Sequence, residues 1–257
     1  MHVAWTPGQK IQIAMGSAFV ARTYTPTIWN AAEGRTCILG YAHGMGPDSD
    51  CLRAATPGSS CDIFGPRVSL DIRHPSGPLA IFGDEISLGL AHALAQSGGI
   101  EAVTGFFEIG DVEASSSVAT QLDLQNYALV GRKAEDAHLS EFESRLSALA
   151  DAGATLVLTG KAGCIQRIRR TLKALDVPSQ RIRTKAYWTP GKTGLGRASR
   201  PTRTARLPVP QIRFVSASGL FPLPPAVVLE ADRPLRPKFR RSAKRSPSMY
   251  SVSPASA

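Results

Sequence analysis

Between Pro75 and Trp188 the chain follows a rhythm that few architectures accommodate. Strand-like runs, PLAIFGD, EAVTGFFEIG, YALVGR, TLVLTG and IRTKAYW, alternate with stretches of helical period, SLGLAHALAQSGG, LSEFESRLSALADAG and CIQRIRRTLKALDV. The buried runs lack polar alternation, which is the pattern of strands covered on both faces, and an intervening helix lets successive strands run parallel. This part therefore predicts a parallel sheet with helices on both sides.

The residues before it obey a different rule. KIQIAM, FVARTY, TCILGYA, SCDIFG and VSLDI are short β-rich runs separated by PG and GP pairs. Strands at that spacing predict an antiparallel barrel or sandwich. The fold class is thus an antiparallel β domain, residues 1–74, followed by an α/β parallel-sheet domain, residues 75–195.

Residues 196–257 form a third region of different composition. Twelve of the 30 lysines and arginines fall there, but only two of the 20 acidic residues, so the net charge of +10 belongs to this tail. It also holds 10 of the 19 prolines. Proline at that density stops helices and removes ladder donors, and the expectation is disorder. A basic arm for RNA or anionic lipid would interleave aromatics or cluster its lysines, and the tail does neither strongly. The abrupt change after GKTGL leaves a shift of reading frame as a further alternative.

No apolar run approaches the roughly 18 residues of a membrane-spanning helix, and Met1 is followed by HVAWTPGQK rather than a basic segment and an apolar signal core. A cytoplasmic protein is expected. Cys37, Cys51, Cys61 and Cys164 form no CxxC pair and no metal-ligand spacing, so plain thiols and no metal are expected.

Six stretches carry candidate chemistry. In VARTYTP, strand alternation puts Arg22 and Tyr24 on one face and Thr23 and Thr25 on the other. Such a strand is either an ordinary surface element or a seat for a flat cofactor with a charged tail, the guanidinium meeting phosphate and the ring packing on the cofactor. YAHGMGPDSD sets His43, Gly44, Gly46, Pro47 and Ser49 before a short helix, an anion cradle or simply a turn. IFGDEISLGL delivers Gly83, Asp84 and Glu85 from a strand to a helix start, where the carboxylates cap the helix or face a ring. LTGKAG and KAYWTPGKTG place Lys161, Lys185 and Lys192 near strand ends, either solvated or facing an acidic ligand. Arg132 and Lys133, after YALVG, suit a 2′-phosphate or solvent.

In order, PGQKIQI, ARTYTP, HGMGPDS with TPGSSCDIFGP, GDEISLGL, LTGKAG and KAYWTPGKTGL resemble the siderophore-interacting flavoproteins of the ferredoxin-NADP reductase superfamily. The resemblance implies an FAD-binding β-barrel in residues 1–74 and an NAD(P)-binding α/β domain in 75–195. It assigns Arg22 to the FAD pyrophosphate, Tyr24 to the isoalloxazine, Thr25 to its N5 side, and His43, Gly44, Gly46, Pro47 and Ser49 to a second flavin phosphate contact. Gly83, Asp84 and Glu85 carry over to the nicotinamide site, and Lys161 and Lys185 to a ferric siderophore. The implied function is an FAD-dependent NAD(P)H oxidoreductase that reduces ferric siderophores and releases Fe(II), acting as a monomer with the flavin carrying the chemistry. The alternatives are a general NAD(P)H:flavin or acceptor reductase and an inactive derivative. Several positions depart from the family: Pro26 and Thr27 stand where a basic residue usually continues RxYT, Cys51 replaces a tryptophan, and Lys161 replaces an acidic residue. The family also has one or two barrel strands before the PGQ segment, so the barrel wall is expected to lack strands.

Overall fold

The computed structural model describes residues 4–15, 17–42, 47–56, 61–72, 75, 77–97, 102–191, 212–216 and 226–231. Its centre is a five-stranded parallel sheet built from β6 (Leu79–Gly83), β7 (Val103–Ile109), β8 (Tyr127–Gly131), β9 (Thr155–Lys161) and β10 (Ile182–Trp188), in the spatial order β10-β9-β6-β7-β8. The first strand lies in the middle and the order reverses between β6 and β9. That reversal is a topological switch point, where the loops leaving two neighbouring strands diverge and open a crevice at their carboxyl ends.

The sheet is buried on both faces. On one side Leu79, Ile81, Phe107, Ile109 and Val157 pack against α2 (Leu88–Ala95) and α3 (Val112–Gln121). On the other, Ala80, Phe82, Phe106, Leu156 and Leu158 meet α4 (Leu139–Glu143), α5 (Leu146–Asp151) and α6 (Ala162–Ala174). Phe82, Phe106 and Phe142 form an aromatic cluster there, with ring centroids 4.8–6.2 Å apart. This is the parallel, doubly covered sheet that the apolar runs predict.

Three details depart from the sequence reading. The stretch 139–151 forms two short helices rather than one, and Val112–Gln121 is a helix although SSSVAT favours none. Asp111 caps its start by accepting from the Ala114 amide at 2.9 Å. VSLDI is not a strand beyond Val68.

The amino-terminal part folds as two antiparallel sheets. β1 (Gln9–Met15) lies between β2 (Ser17–Tyr24) and β5 (Ile63–Val68), and β3 (Pro26–Asn30) pairs with β4 (Arg35–Tyr41). β2 and β3 are one run broken only at Thr25, so the two sheets share a corner and curl around Ile11, Ile13, Ile38, Ala42 and Leu52. Leu52 comes from α1 (Pro47–Ala54).

The tail reading needs correction in two places. β11 (Ile212–Ser216) and β12 (Ala226–Ala231) form an antiparallel hairpin, and β12 pairs with β4. The proline-free runs QIRFVS and AVVLEA keep their ladder donors, and β4 offers a strand edge to receive them.

Candidate functional site

The carboxyl ends of β6, β9 and β10 meet at the switch point around Asp84. Asp84 is 1% exposed, and its Oδ2 accepts from the Trp188 indole at 2.6 Å. Ser87 donates to Asp84 Oδ1 at 3.1 Å while the Asp84 amide donates back to Ser87 Oγ at 3.2 Å, a reciprocal cap on the helical turn that follows. Thr159 lies beneath, its hydroxyl 2.9 Å from Ser87 Oγ and 3.0 Å from the Phe82 carbonyl. Burial raises the Asp84 carboxyl to about 6, with Glu85 adding to the rise and the Trp188 hydrogen bond opposing it.

Gly160 makes this packing feasible. It sits at φ +94°, and a Cβ there would come within 2.8 Å of Asp84 Oδ2. Neither the conformation nor the contact admits a side chain.

Glu85 points elsewhere. Its Oε1 accepts from the Gly110 amide at 2.7 Å and from Arg132 Nη1 at 2.9 Å, and Arg132 Nη2 takes the other oxygen. This bidentate pair ties the ends of β6, β7 and β8 together. Arg132, read from sequence as a 2′-phosphate candidate or a solvated side chain, is committed to Glu85. Tyr41, at the end of β4, shares this field: burial first, and then Glu85, raise its phenol above the ordinary range.

The seam between the barrel and the sheet is made by β10. Its pairing with β9 slips between Ala186 and Trp188, so Tyr187 is an extra residue in the strand. A bulge re-aims a side chain. Here the Tyr187 hydroxyl lies beside Thr25, at the corner between β2 and β3, and burial raises the phenol well above its usual range. Thr25, Tyr187, Trp188 and Asp84 thus form a continuous path from the RTYT strand to the GDE turn.

Arg22 and Tyr24 face Ile13 and Ile11 across the β1–β2 ladder, and directly opposed residues share a face. The alternation read from sequence holds for this pair, and Thr23 is exposed on the other side. Tyr24 is partly buried against the barrel core. Ser49 is completely buried in α1. Pro47 begins that helix, while His43, Gly44 and Gly46 lie outside the described residues.

Of the three lysines singled out from sequence, Lys192 lies outside the described residues, and the other two differ. Lys161 Nζ holds both oxygens of Asp136, at 2.7 and 2.9 Å. Lys185 lies near Lys10, which is opposite Arg67 in the β1–β5 pair. Burial, then Lys185, then Arg67 lower the Lys10 ammonium below its ordinary value. Like charges placed directly opposite repel, and a third cation near Lys10 adds to that field. Sequence reasoning passed over Lys10 and Arg67 because nothing in their own neighbourhoods brings them to β10.

Glu108 and His138 lie fully buried on the α6 side of the sheet. The His138 Nδ1 accepts from the Lys133 amide at 3.2 Å, which leaves Nε2 to donate to Glu108 Oε2 at 2.8 Å, and Cys164 donates to the same oxygen at 3.2 Å. Cys164 and the three other cysteines are free thiols.

No protein-family model and no curated protein matches the chain. Solved structures do. A siderophore-interacting protein from Acinetobacter baumannii superposes with a TM-score of 0.57 at 16% identity, over 73% of this chain and 79% of that one. A siderophore utilization protein from T. fusca gives 0.56 at 19%, over 76% and 84%. Ferredoxin-NADP+ reductase from Plasmodium falciparum gives 0.55 at 10%, over 72% and 84%. The chain has the two-domain fold that these structures share.

Proposed function

We propose that the chain is a siderophore-interacting flavoprotein, an FAD-dependent NAD(P)H oxidoreductase that acts on ferric siderophores. The observation that carries this reading is the path Thr25–Tyr187–Trp188–Asp84, which joins the strand suited to a flavin to the strand end suited to a nicotinamide. Two motifs far apart in sequence converge at a topological switch point, where open parallel sheets take nucleotides.

The residues fit a flavin. Arg22 supplies a guanidinium for the pyrophosphate and Tyr24 an aromatic face from the same side of β2, while Thr25 brings a hydroxyl to the seam. The stretch from His43 to Ser49 is assigned to a further phosphate. Bound FAD would supply the chemistry that the side chains lack, accepting hydride from NAD(P)H and passing single electrons to the ferric chelate. Hard oxygen ligands hold Fe(III) more tightly than Fe(II), so reduction loosens the chelate.

The protein's own groups position and exclude. Asp84 orients Trp188, and Gly83 and Gly160 allow the close packing beneath it. Glu85, tied to Arg132 and Gly110, fixes the mouth of the crevice where the nicotinamide is assigned. Lys185, with Lys10 and Arg67, is the cationic group best placed to take the anionic oxygens of an acidic siderophore. Lys161 must first leave Asp136 to take part. Among the described residues no helix is long and apolar enough to cross a membrane. A monomer working in the cytoplasm completes the proposal.

Titration of the purified protein with FAD is the first test, and a protein that takes up none refutes the reading. The second follows flavin bleaching by NAD(P)H and then Fe(II) formation from a ferric siderophore with a ferrous trap present. Bleaching without Fe(II) would leave a general NAD(P)H:acceptor reductase. Arg22→Ala is expected to weaken FAD retention about ten-fold or more, the loss of a charge-assisted contact.

A further inference from the structure

β4 has two edges with different partners. β3 covers one, opposite Arg35–Ile38. β12 covers the other at the far end of the strand, where Leu39 lies opposite Val228, Gly40 opposite Val227 and Tyr41 opposite Ala226. β11 pairs along the outer side of β12 from Ile212 to Ser216. Without this hairpin, the last residues of β4 would present a row of unpaired backbone groups.

Those three residues are mechanically connected to the candidate site. Leu39 packs against the apolar core of the parallel sheet. Gly40 lies directly on α1, since a Cβ there would approach Leu52 Cδ2 to 2.8 Å, and α1 also carries Ser49. Tyr41 feels the charges of Glu85 and Arg132. The end of β4 thus touches the barrel helix, the α/β domain and the carboxylate pair at once.

The sequence of the tail agrees with this role. Pro208 and Pro210 precede β11, Pro222, Pro224 and Pro225 separate the strands, and Pro234 follows β12, while neither strand contains proline. A chain in which prolines bracket the ladder segments and never interrupt them retains the donors that a hairpin needs.

We propose that the β11–β12 hairpin is an integral part of the barrel, occupying the open edge of β4 within the same molecule and holding Leu39–Tyr41, and through them α1 and the seam, in the arrangement that retains the cofactor. The pairing stands on backbone geometry, whereas its consequence for cofactor retention rests on the flavin reading above.

Hydrogen exchange on the full-length chain tests the pairing, comparing the native protein with Val227→Pro/Val228→Pro. β12 has a strand on each side, so proline at these positions removes ladder donors whichever way they point. The expected result is a loss of protection at Leu39–Tyr41 of roughly ten-fold or more, with β6, β7 and β9 unchanged, and FAD binding weakened by a similar factor, as for one or two lost backbone hydrogen bonds. Should the double variant lose protection throughout, Val215→Pro loosens the hairpin without touching the β4 ladder and is expected to give a smaller loss at the same amides. Exchange at Leu39–Tyr41 that is unaltered in both variants overturns the proposal. Protection there that falls on dilution, together with a dimer in the ultracentrifuge, would seat the hairpin of a second copy on β4 and overturn it as well. A native protein that takes up no FAD refutes the flavin reading and leaves the exchange comparison intact.

Discussion

The parallel sheet and the barrel solve the same problem with unequal means. β6 and β9 are buried along nearly their whole length and have apolar clusters on both faces. Among the described residues the barrel has one small cluster of five buried residues, two of which are on β1, and several half-buried strands. Apolar area removed from water is the main favourable contribution to folding, so the first unit carries its own stability and the second depends on what covers it. The carboxylates of the site are accordingly fixed from the α/β side. Barrel groups reach the site through Thr25, Tyr41 and Lys10, each of which meets a partner on the other unit.

The most severe way to break this asymmetry is to open the sheet's core. Phe82→Ala is expected to cost about 4 kcal/mol, the usual price of a large aromatic truncation in a packed core. In a denaturant titration followed by far-ultraviolet circular dichroism, a loss below about 1 kcal/mol would show that the aromatic cluster is not the sheet's main support.

Acid dependence separates the two units next. The folded-state value of Asp84, about 6, lies above its ordinary 3.8, so the folded protein binds this proton more tightly than the unfolded chain. Its contribution is fully present below the unfolded value and is lost as pH rises through about 6, amounting to about 3 kcal/mol across that window. Asp84→Asn is expected to flatten the stability profile between pH 4 and 7 relative to the native protein. A difference profile without slope in that window would show that Asp84 titrates normally.

Arg132→Ala leaves Glu85 buried with the Gly110 amide as its remaining donor, and a cost of about 2 kcal/mol is expected, discounted because the guanidinium is partly exposed. Differential scanning calorimetry reads this as a lower melting temperature for the α/β unit. At the small end, Tyr187→Phe removes the hydroxyl that faces Thr25 across the seam and is expected to cost about 1 kcal/mol. Its effect should appear as faster exchange at the β2–β3 corner and leave β6 and β9 unmoved. Equal loosening of both units would dissolve the contrast between them.

Much of the fold was legible because burial leaves a local imprint. PLAIFGD and TLVLTG read as strands covered on both faces because nearly every residue in them is apolar, and the structure buries them in that way. The helix that Asp111 caps was not read from sequence, because serine and threonine in the SSSVAT run compete for backbone hydrogen bonds. The site was legible as motifs rather than as contacts. KAYW marked a strand that mattered, but nothing local revealed that a slip in pairing would turn Tyr187 toward Thr25 or that Trp188 would find Asp84.

By itself the sequence determined the alternation of strands and helices, the antiparallel and parallel sheets they build, and the face shared by Arg22 and Tyr24. These follow from side-chain polarity at spacings of two to four residues, which each segment carries wherever it is placed. Tertiary structure alone decided that Asp84 takes the indole of a residue 104 positions away, that Glu85 takes a guanidinium 47 positions away, and that Lys161 is held by Asp136 while Lys185 joins Lys10 and Arg67. It also decided that a proline-bracketed hairpin covers the end of β4. Hydrogen bonds and charge fields act over a few ångströms in space, and the order in which strands are laid side by side determines which distant residues come within that reach.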